Sequence, residues 1–107
     1  MAAFDYSITF ACYNQVAYTR ACVESMVRHG VDLGRVIAVD NGSSDRTVAM
    51  LEKQNVQCVI HRDRGRSRAL NAGLKHARGE IVCTTDMSCR PAPDWIHTIV
   101  RCFDEPG

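Results

Sequence analysis

The sequence predicts one small α/β domain, in which a mostly parallel sheet carries helices on both faces. Four short runs of apolar and β-branched residues alternate with four runs whose apolar residues recur at helical spacing, in the order βαβαβαβα. One strand run, Arg35–Asp40, is almost entirely apolar, as in strands that are covered on both faces. The length of 107 residues suffices for one core. Alternation of strand and helix implies parallel strands joined by right-handed crossovers.

The strands are predicted from runs of β-forming residues that end at turn-forming residues. Tyr13-Asn14-Gln15 interrupts the first run, and Asn41-Gly42-Ser43 follows the second. The fourth run ends on a carboxylate, Asp86. The four predicted strands are Ser7–Cys12, Arg35–Asp40, Val56–Ile60 and Ile81–Thr85.

The helices are predicted from apolar residues that recur every three or four positions. The first spans about residues 16–29, the second ends near Gln54, and the last two span about 67–76 and 94–103. Gly30 ends the first helix, and Ser43 or Ser44 is expected to cap the second. The helical side chains expected to face the core are Tyr18, Cys22, Val23, Met26, Val27, Ala69, Leu70, Gly73, Leu74, Ile96, Ile99, Val100 and Phe103.

Bulk composition narrows the classes of partner. The net charge of +1 gives no reason to expect nucleic acid or an anionic membrane. No apolar run approaches the roughly 20 residues of a membrane span. The segment Met1–Asp5 lacks the basic and apolar regions of a signal peptide.

The six cysteines could form three disulfides, but their positions favour free thiols. All except Cys89 lie within predicted strands or helices, where a free cysteine acts as a small buried hydrophobe. The sequence contains no CxxC pair, which disfavours a zinc site. We therefore expect a reducing, cytoplasmic environment.

Polar residues follow each predicted strand. Because the loops after parallel strands leave the same edge of the sheet, these residues should meet in one crevice. Together they offer an aromatic ring, an amide, basic groups and a carboxylate, a combination that suits a nucleotide. The four groups are Cys12-Tyr13-Asn14, Asp40-Asn41-Gly42-Ser43, Arg62–Arg68 and Asp86-Met87-Ser88.

Each of these groups has a simpler interpretation when taken alone. Tyr13 can close the edge of the core, and Asp40-Asn41-Gly42 can form a tight turn. The arginines of segment 62–68 can form a solvated face, although guanidinium groups around a glycine also suit a diphosphate. Asp86 can cap a turn or the next helix instead of binding a metal. The shared position of the groups after successive strands is what favours a binding site.

Two classes of α/β protein are disfavoured. A dinucleotide-binding fold needs G-x-G-x-x-G after its first strand, and the turn at residues 11–15 contains no glycine. The acidic cluster expected there in a response-regulator-like fold is also missing from the sequence. An unrelated flavodoxin-like binding domain stays open as an alternative.

Four segments of the chain resemble sequence elements of one family, in the same order. Residues 8–14 read I-T-F-A-C-Y-N, and residues 39–47 read V-D-N-G-S-S-D-R-T. Residues 65–74 read G-R-S-R-A-L-N-A-G-L, and G-E-I-V at residues 79–82 is followed by Asp86-Met87-Ser88. These segments resemble four sequence elements of family 2 glycosyltransferases. The elements are the first strand with its Tyr-Asn turn, V-D-[DN]-G-S-x-D-x-T, G-x-S-x-A-x-N-x-G-L and G-E-x-[IV]…D-x-D. From about Ser7 to Val100, the chain is similar to the Rossmann-like, nucleotide-sugar-binding half of the GT-A fold.

The resemblance implies binding of a nucleotide-diphosphate sugar, a UDP- or dTDP-sugar, for transfer to an acceptor that it does not identify. Asn41 occupies the position that contacts the pyrimidine, where its amide oxygen can accept the ring N–H. Asp86 corresponds to the first carboxylate of D-x-D, which meets the ribose and a Mg²⁺ or Mn²⁺ ion on the diphosphate. The implied nucleotide-sugar contacts are Ala11, Tyr13, Asp40, Asn41, Arg66, Arg68 and Asp86.

Two departures from the family pattern shape the remaining expectations. Ser88 stands where the family has its metal-ligating aspartate, so Asp86 and Ser88 are expected to hold a divalent cation weakly. Residues 1–107 are expected to be a single truncated domain without the acceptor-binding half and its general base, so catalytic residues stay unassigned. The alternative is a non-catalytic GT-A-like interaction or assembly module. Surfaces left uncovered in either case predict a homo-oligomer.

Overall fold

The structure, a computed structural model, describes residues 4–62 and 65–103. Strands and α-helices alternate along this part of the chain. The strands are β1 (Phe4–Cys12), β2 (Val36–Asp40), β3 (Gln57–Ile60) and β4 (Gly79–Asp86). The helices are α1 (Val16–Arg28), α2 (Thr47–Lys53), α3 (Arg66–His76) and α4 (Trp95–Cys102), and a short 3-10 helix, Leu33–Arg35, precedes β2.

The strands form one parallel sheet in the order β3-β2-β1-β4. This arrangement confirms the predicted fold class. β1 and β4 begin earlier than predicted because Phe4 pairs with Gly79, which extends both strands toward their amino ends. β4 also runs one residue further than predicted, because Asp86 pairs with Ala11.

The helices cover the two faces of the sheet unequally. On one face, side chains of α1, α2 and α4 form the main core with the inward residues of β1, such as Ile8 and Phe10, neither of which is exposed to solvent. On the other face, α3 packs alone through two alanines, Ala69 and Ala72, against Val39. The second face is therefore thinner, and it rests on small side chains.

Close approach of neighbouring elements explains two glycines, one in α3 and one at the start of β4. A Cβ atom at Gly73 would overlap Thr9 Oγ1, so α3 lies against β1 with no room for a side chain there. A Cβ atom at Gly79 would overlap the backbone of Tyr6 and Ser7. The glycines thus set the distance between α3 and β1 and allow β4 to begin beside β1.

Several side chains that were expected in the core are exposed. Tyr18 and Val27 are each 52% exposed, because the buried face of α1 instead contains Thr19, whose hydroxyl lies 3.7 Å from Met87 Sδ. Leu74 is 48% exposed because it lies beside, not on, the small-residue face of α3. Phe103 is 68% exposed because α4 ends one residue before it. No helix of the described ranges is long and apolar enough to cross a membrane.

Candidate functional site

The register of the sheet brings the ends of the strands to one edge. Asp40 pairs with Cys12 on one side and with Ile60 on the other, and Asp86 pairs with Ala11. The loops after all four strands therefore leave from the same edge, as predicted. Strand order reverses between β1 and β4, and this is the point where open α/β sheets bind ligands.

A cavity of about 340 Å³ lies at this reversal point. It contains Ala11 and Asp86, which are two of the predicted nucleotide-sugar contacts. Asp86 is the one carboxylate among the described residues that line it. The full lining is Ala11, Leu70, Thr84, Thr85, Asp86 and Cys89.

Asp86 begins a tight turn that it stabilises with its own side chain. Its Oδ1 accepts hydrogen bonds from the backbone N–H and the hydroxyl of Ser88, both at 3.0 Å. Its carbonyl oxygen accepts the N–H of Cys89 at 2.9 Å, and the buried Cys22 Sγ lies 3.8 Å from the same oxygen. The turn is thereby held against α1, and it presents one carboxylate and one hydroxyl side by side.

This pair fits a divalent cation only as a partial site. Among the described residues, no group of three or more His, Cys, Asp or Glu side chains could hold a metal ion. Mg²⁺ sites often use one or two carboxylates and complete their coordination with phosphate oxygens and water. Asp86 and Ser88 thus fit a cation that a bound diphosphate helps to hold.

Asp40 lies in a different environment from Asp86. Its side chain is 1% exposed, and its Oδ2 accepts the N–H groups of Gly42 at 3.0 Å and Ser43 at 2.8 Å. Its Oδ1 accepts the hydroxyl of Ser43, and Cys12 Sγ lies 3.7 Å from it. Asp40 thus organises the turn after β2, which needs the left-handed backbone of Gly42 at φ 86°. A contact of Asp40 with the nucleotide stays a prediction.

A second set of polar residues joins the loop after β1 to the loop after β2. The Asn14 N–H donates to Ser43 Oγ at 2.7 Å, and Asn14 Oδ1 accepts the N–H of Ser44 at 2.9 Å. Asp45 Oδ2 accepts the N–H of Val16, the first residue of α1, at 3.1 Å. The two loops therefore form one hydrogen-bonded unit beside the cavity.

Asp45 also stabilises the turn that leads into α2, whose N-cap is Arg46 and not one of the serines that were expected there. Its Oδ1 accepts the N–H of Thr47 at 2.9 Å as well as the Thr47 hydroxyl. The slight burial of this exposed carboxylate acts to raise the pKa of Asp45, but the hydrogen bonds from Thr47 and Val16 outweigh it and lower the pKa. Sequence reasoning missed this residue, although an aspartate in a turn commonly accepts the backbone N–H two residues further on.

Two buried polar atoms follow β2 and β3 without a hydrogen-bond partner among the described residues. They are Asn41 Oδ1 and His61 Nδ1. The backbone N–H of Asn41 donates to Cys12 O at 2.9 Å, and that of His61 donates to Asp40 O at 2.8 Å. Buried polar atoms normally have partners, so these two mark unused binding capacity. His61 was not among the predicted contacts, and Tyr13, which was, is partly buried in the loop after β1.

Among the arginines predicted to contact the diphosphate, Arg68 does not line the cavity. Arg68 is exposed and lines a different groove, between β3 and the opposite side of α3. Leu70 of the same helix lines the cavity itself. α3 begins at Arg66, whose side chain lies outside the described residues, as does Arg64. The expected contacts of Arg66 and Arg68 with a diphosphate stay predictions.

All six cysteines are free thiols, as predicted. Burial, above all other causes, raises the pKa of Cys22 and of Cys58 to about 11, so both thiols are protonated at neutral pH. Cys89 and Cys102 are exposed, which corrects the expectation that Cys102 is buried. Cys89 lines the cavity and Cys102 does not.

The parallel sheet and its reversal point define a Rossmann-like α/β domain with a cavity at the reversal point. Residues 7–107 match the family described as glycosyl transferase family 2, and the chain belongs to that family. Over 100 residues it is 31% identical to EpsH of Bacillus subtilis (strain 168), an alignment that covers 89% of this chain and 29% of EpsH.

Solved structures show the same fold. S. aureus TarS 1-349 in complex with UDP-GlcNAc has a TM-score of 0.84 and 22% identity, over 94% of this chain and 31% of that one. The mannosyltransferase PcManGT from Pyrobaculum calidifontis, in complex with GDP-Man and Mn²⁺, has a TM-score of 0.84 and 24% identity, over 99% and 35%. The chain thus spans about a third of the length of these proteins.

Proposed function

We propose that the chain binds the donor of a glycosyl transfer reaction, a nucleotide-diphosphate sugar, in the cavity between the ends of β1 and β4. The observation that carries this proposal is the position of Asp86. It is the carboxylate at the reversal point of the sheet, paired with Ala11 and exposed to a cavity. Two related structures are complexes with UDP-GlcNAc and with GDP-Man, which supports a nucleotide sugar as the ligand class.

A uracil or thymine base is the proposed nucleobase, as part of a UDP- or dTDP-sugar. The supporting observation is Asn41 Oδ1, a buried acceptor without a partner among the described residues. The N3–H group of uracil or thymine is a donor that this oxygen can accept. Tyr13, in the neighbouring loop, offers a ring against which a base can stack.

A Mg²⁺ or Mn²⁺ ion is proposed as a weakly held cofactor. Asp86, with Ser88 beside it at 3.0 Å, would hold the ion together with oxygens of the donor diphosphate. Such an ion neutralises negative charge on the nucleoside diphosphate that leaves. Because Asp86 is the one carboxylate in the described lining, we expect weak turnover or none from this chain by itself.

The exposed thiols allow a direct test of the site. Cys89 lines the proposed cavity, whereas Cys102 is a second exposed thiol outside it. Alkylation is followed at both cysteines by mass spectrometry, with UDP, dTDP or GDP and with or without Mn²⁺. A nucleotide that slows the reaction at Cys89 but leaves the rate at Cys102 unchanged supports the proposal. Equal rates at Cys89 with and without every nucleotide contradict it.

A non-catalytic assembly module is the second candidate function. The observation that favours it is Ser88, which hydrogen-bonds to Asp86 where a second carboxylate would strengthen a metal site. β4 is an edge strand of the described sheet, and Val82 within it is 37% exposed, so we also propose that the chain self-associates there. Sedimentation velocity of the chain and of Val82→Lys measures this. Association that the charge abolishes supports the proposal, and a monomer at every concentration refutes it.

A further inference from the structure

Positive charge is concentrated on one segment of the chain. Residues 61–78 contain six of the 13 Lys and Arg residues but one of the 12 Asp and Glu residues, so the segment carries +5 and the remainder −4. The net charge of +1 conceals this separation. α3, at the centre of the segment, contains three of these basic residues and no acidic residue. A local excess of positive charge of this kind attracts anions to one side of the protein.

The charge borders a groove that is separate from the cavity at Asp86. The groove has a volume of about 390 Å³ and lies between α3 and the edge strand β3. Its described lining contains no carboxylate. The polar side chains that line it are His61, Arg68, Asn71, Lys75 and His76.

The protein itself leaves much of this polar lining unused. Neither Arg68 nor Lys75 forms an ion pair with another residue that the structure describes. His61 Nδ1 is buried and has no partner in the same part of the chain. His76 Nδ1 donates to Ala72 O at 2.9 Å, which orients the ring and leaves Nε2 for a partner outside the helix.

A comparable groove on the other face shows the contrast. Arg20, Arg46 and Lys53 line a groove of about 380 Å³ between α1 and α2. There a carboxylate is close by, because Asp45 accepts the N–H of Val16, which lines that groove. Positive charge alone is therefore common to both grooves. Both described linings contain an amide, Gln54 in the groove between α1 and α2 and Asn71 in the β3–α3 groove. What distinguishes the β3–α3 groove is its two imidazoles, His61 and His76.

We propose that the groove between β3 and α3 binds a phosphomonoester. A phosphomonoester carries about two negative charges near neutral pH and three acceptor oxygens. The Arg68 guanidinium can pair with two of those oxygens, and the Lys75 ammonium supplies a second full charge. The Asn71 amide can donate to an oxygen as well. The phosphomonoester belongs either to a soluble molecule or to a lipid headgroup.

This site is distinct from the proposed donor site. Leu70 faces the cavity of Asp86, whereas Arg68 and Asn71 line the groove, so α3 lies between the two. One diphosphate bound at Asp86 therefore does not account for the groove. The inference does not depend on the proposed donor binding and is tested separately from it.

The test measures phosphate binding to the 107-residue chain at constant ionic strength. Inorganic phosphate is titrated while the backbone amide signals of Asn71, Lys75 and His76 are followed by NMR. A second titration uses phosphatidylcholine vesicles with phosphatidic acid, a lipid phosphomonoester, or with phosphatidylglycerol, a phosphodiester. Saturable shifts with inorganic phosphate support a soluble ligand. Binding only to vesicles with phosphatidic acid supports a lipid headgroup. No saturable binding in either titration overturns the proposal.

Matched charge removals distinguish the groove from general attraction to positive charge. Lys75→Ala is expected to weaken binding by about tenfold, as for loss of one charged hydrogen-bond donor. Lys53→Ala removes the same charge from the groove between α1 and α2, and it should leave the affinity unchanged. Equal weakening by both substitutions, or none by Lys75→Ala, overturns the proposal. The Cys89 alkylation rate, which neither substitution should alter, checks that the variants keep the fold around the donor cavity.

Discussion

Two strands that flank β1 each end in an aspartate, but the two carboxylates have different surroundings. Asp40 of β2 is 1% exposed and accepts two backbone N–H groups and a hydroxyl, with a thiol also nearby. Asp86 of β4 is partly exposed, faces a cavity, and receives the N–H and hydroxyl of Ser88 on one oxygen. An aspartate at a strand end can thus organise the loop that follows it, as Asp40 does, or face a cavity where it can contact a ligand, as Asp86 does.

The residues that follow each aspartate explain the difference. After Asp40, Gly42 takes up a left-handed conformation that turns two successive N–H groups back onto the carboxylate. After Asp86, the turn is tied to α1 through Met87 and through the Asp86 carbonyl oxygen, so its side chain stays at the edge of the cavity. The comparison predicts that Asp40 contributes mainly to stability and Asp86 mainly to binding.

The largest expected effect is on stability, from loss of the Asp40 carboxylate. Asp40→Ala leaves the partly buried donors of Gly42 and Ser43 without their acceptor and opens a cavity at a buried side chain, which should together cost about 3 kcal/mol in the free energy of unfolding. Asp86→Ala should cost about 1 kcal/mol or less, because its hydrogen bonds lie within one exposed turn. Urea denaturation of both variants measures this. Equal losses would show that the two aspartates have the same structural role.

Ser43 and Ser88, which hydrogen-bond to Asp40 and Asp86, allow the same comparison of stability with smaller expected effects. Ser43→Ala removes a donor to Asp40 and the acceptor of the Asn14 N–H, and it should cost about 1.5 kcal/mol. Ser88→Ala removes one solvent-exposed hydroxyl bond and should cost about 0.5 kcal/mol or less. Urea denaturation of Ser43→Ala, Ser88→Ala and Asn14→Ala measures the loss in the free energy of unfolding for each variant. A larger loss of stability for Ser88→Ala than for Ser43→Ala would contradict a structural role for the turn after Asp40.

Nucleotide affinity should depend mainly on the turn at Asp86, whereas stability depends mainly on the turn at Asp40. Asp86→Asn keeps the shape of the side chain but removes its charge, and we expect about a tenfold loss of nucleotide affinity in the presence of Mn²⁺. Ser88→Asp, which supplies a second carboxylate, should increase the dependence of affinity on Mn²⁺. Calorimetric titration with UDP, with and without Mn²⁺, measures both. An affinity that neither substitution changes would place the nucleotide away from Asp86.

The smallest effect is expected from a third carboxylate in these loops, Asp45. Its pKa in the folded protein is lower than the ordinary value of 3.8, so its stabilising contribution is present above that value and is lost as the pH falls through the folded-state pKa. The effect is small because the side chain is largely in solvent. Comparison of Asp45→Asn with the unchanged chain, by urea denaturation from neutral to acidic pH, should show a difference that shrinks below about pH 4. A difference that is constant with pH would exclude this role.

Much of the fold and part of the candidate site could be predicted from the sequence. The alternation of strand and helix, and the polar residues after each strand, depend on local patterns that survive folding. Ala11 and Asp86 were therefore correctly expected at one edge of the sheet, where they pair. The exposure of Tyr18 and Phe103 could not be foreseen, because apolar spacing does not show where a helix ends or which neighbour covers it.

The sequence by itself thus determined the order of elements, the parallel sheet and the common edge of its loops, because hydrophobic period and turn chemistry are local properties. Only the tertiary structure decided that Asp40 is enclosed while Asp86 faces a cavity, because the pairings Cys12–Asp40 and Ala11–Asp86 join distant segments. It also decided that Arg68 lies across α3 from Asp86. The approach of Gly73 to Thr9 sets how α3 lies on the sheet, and hence which of its side chains faces which groove.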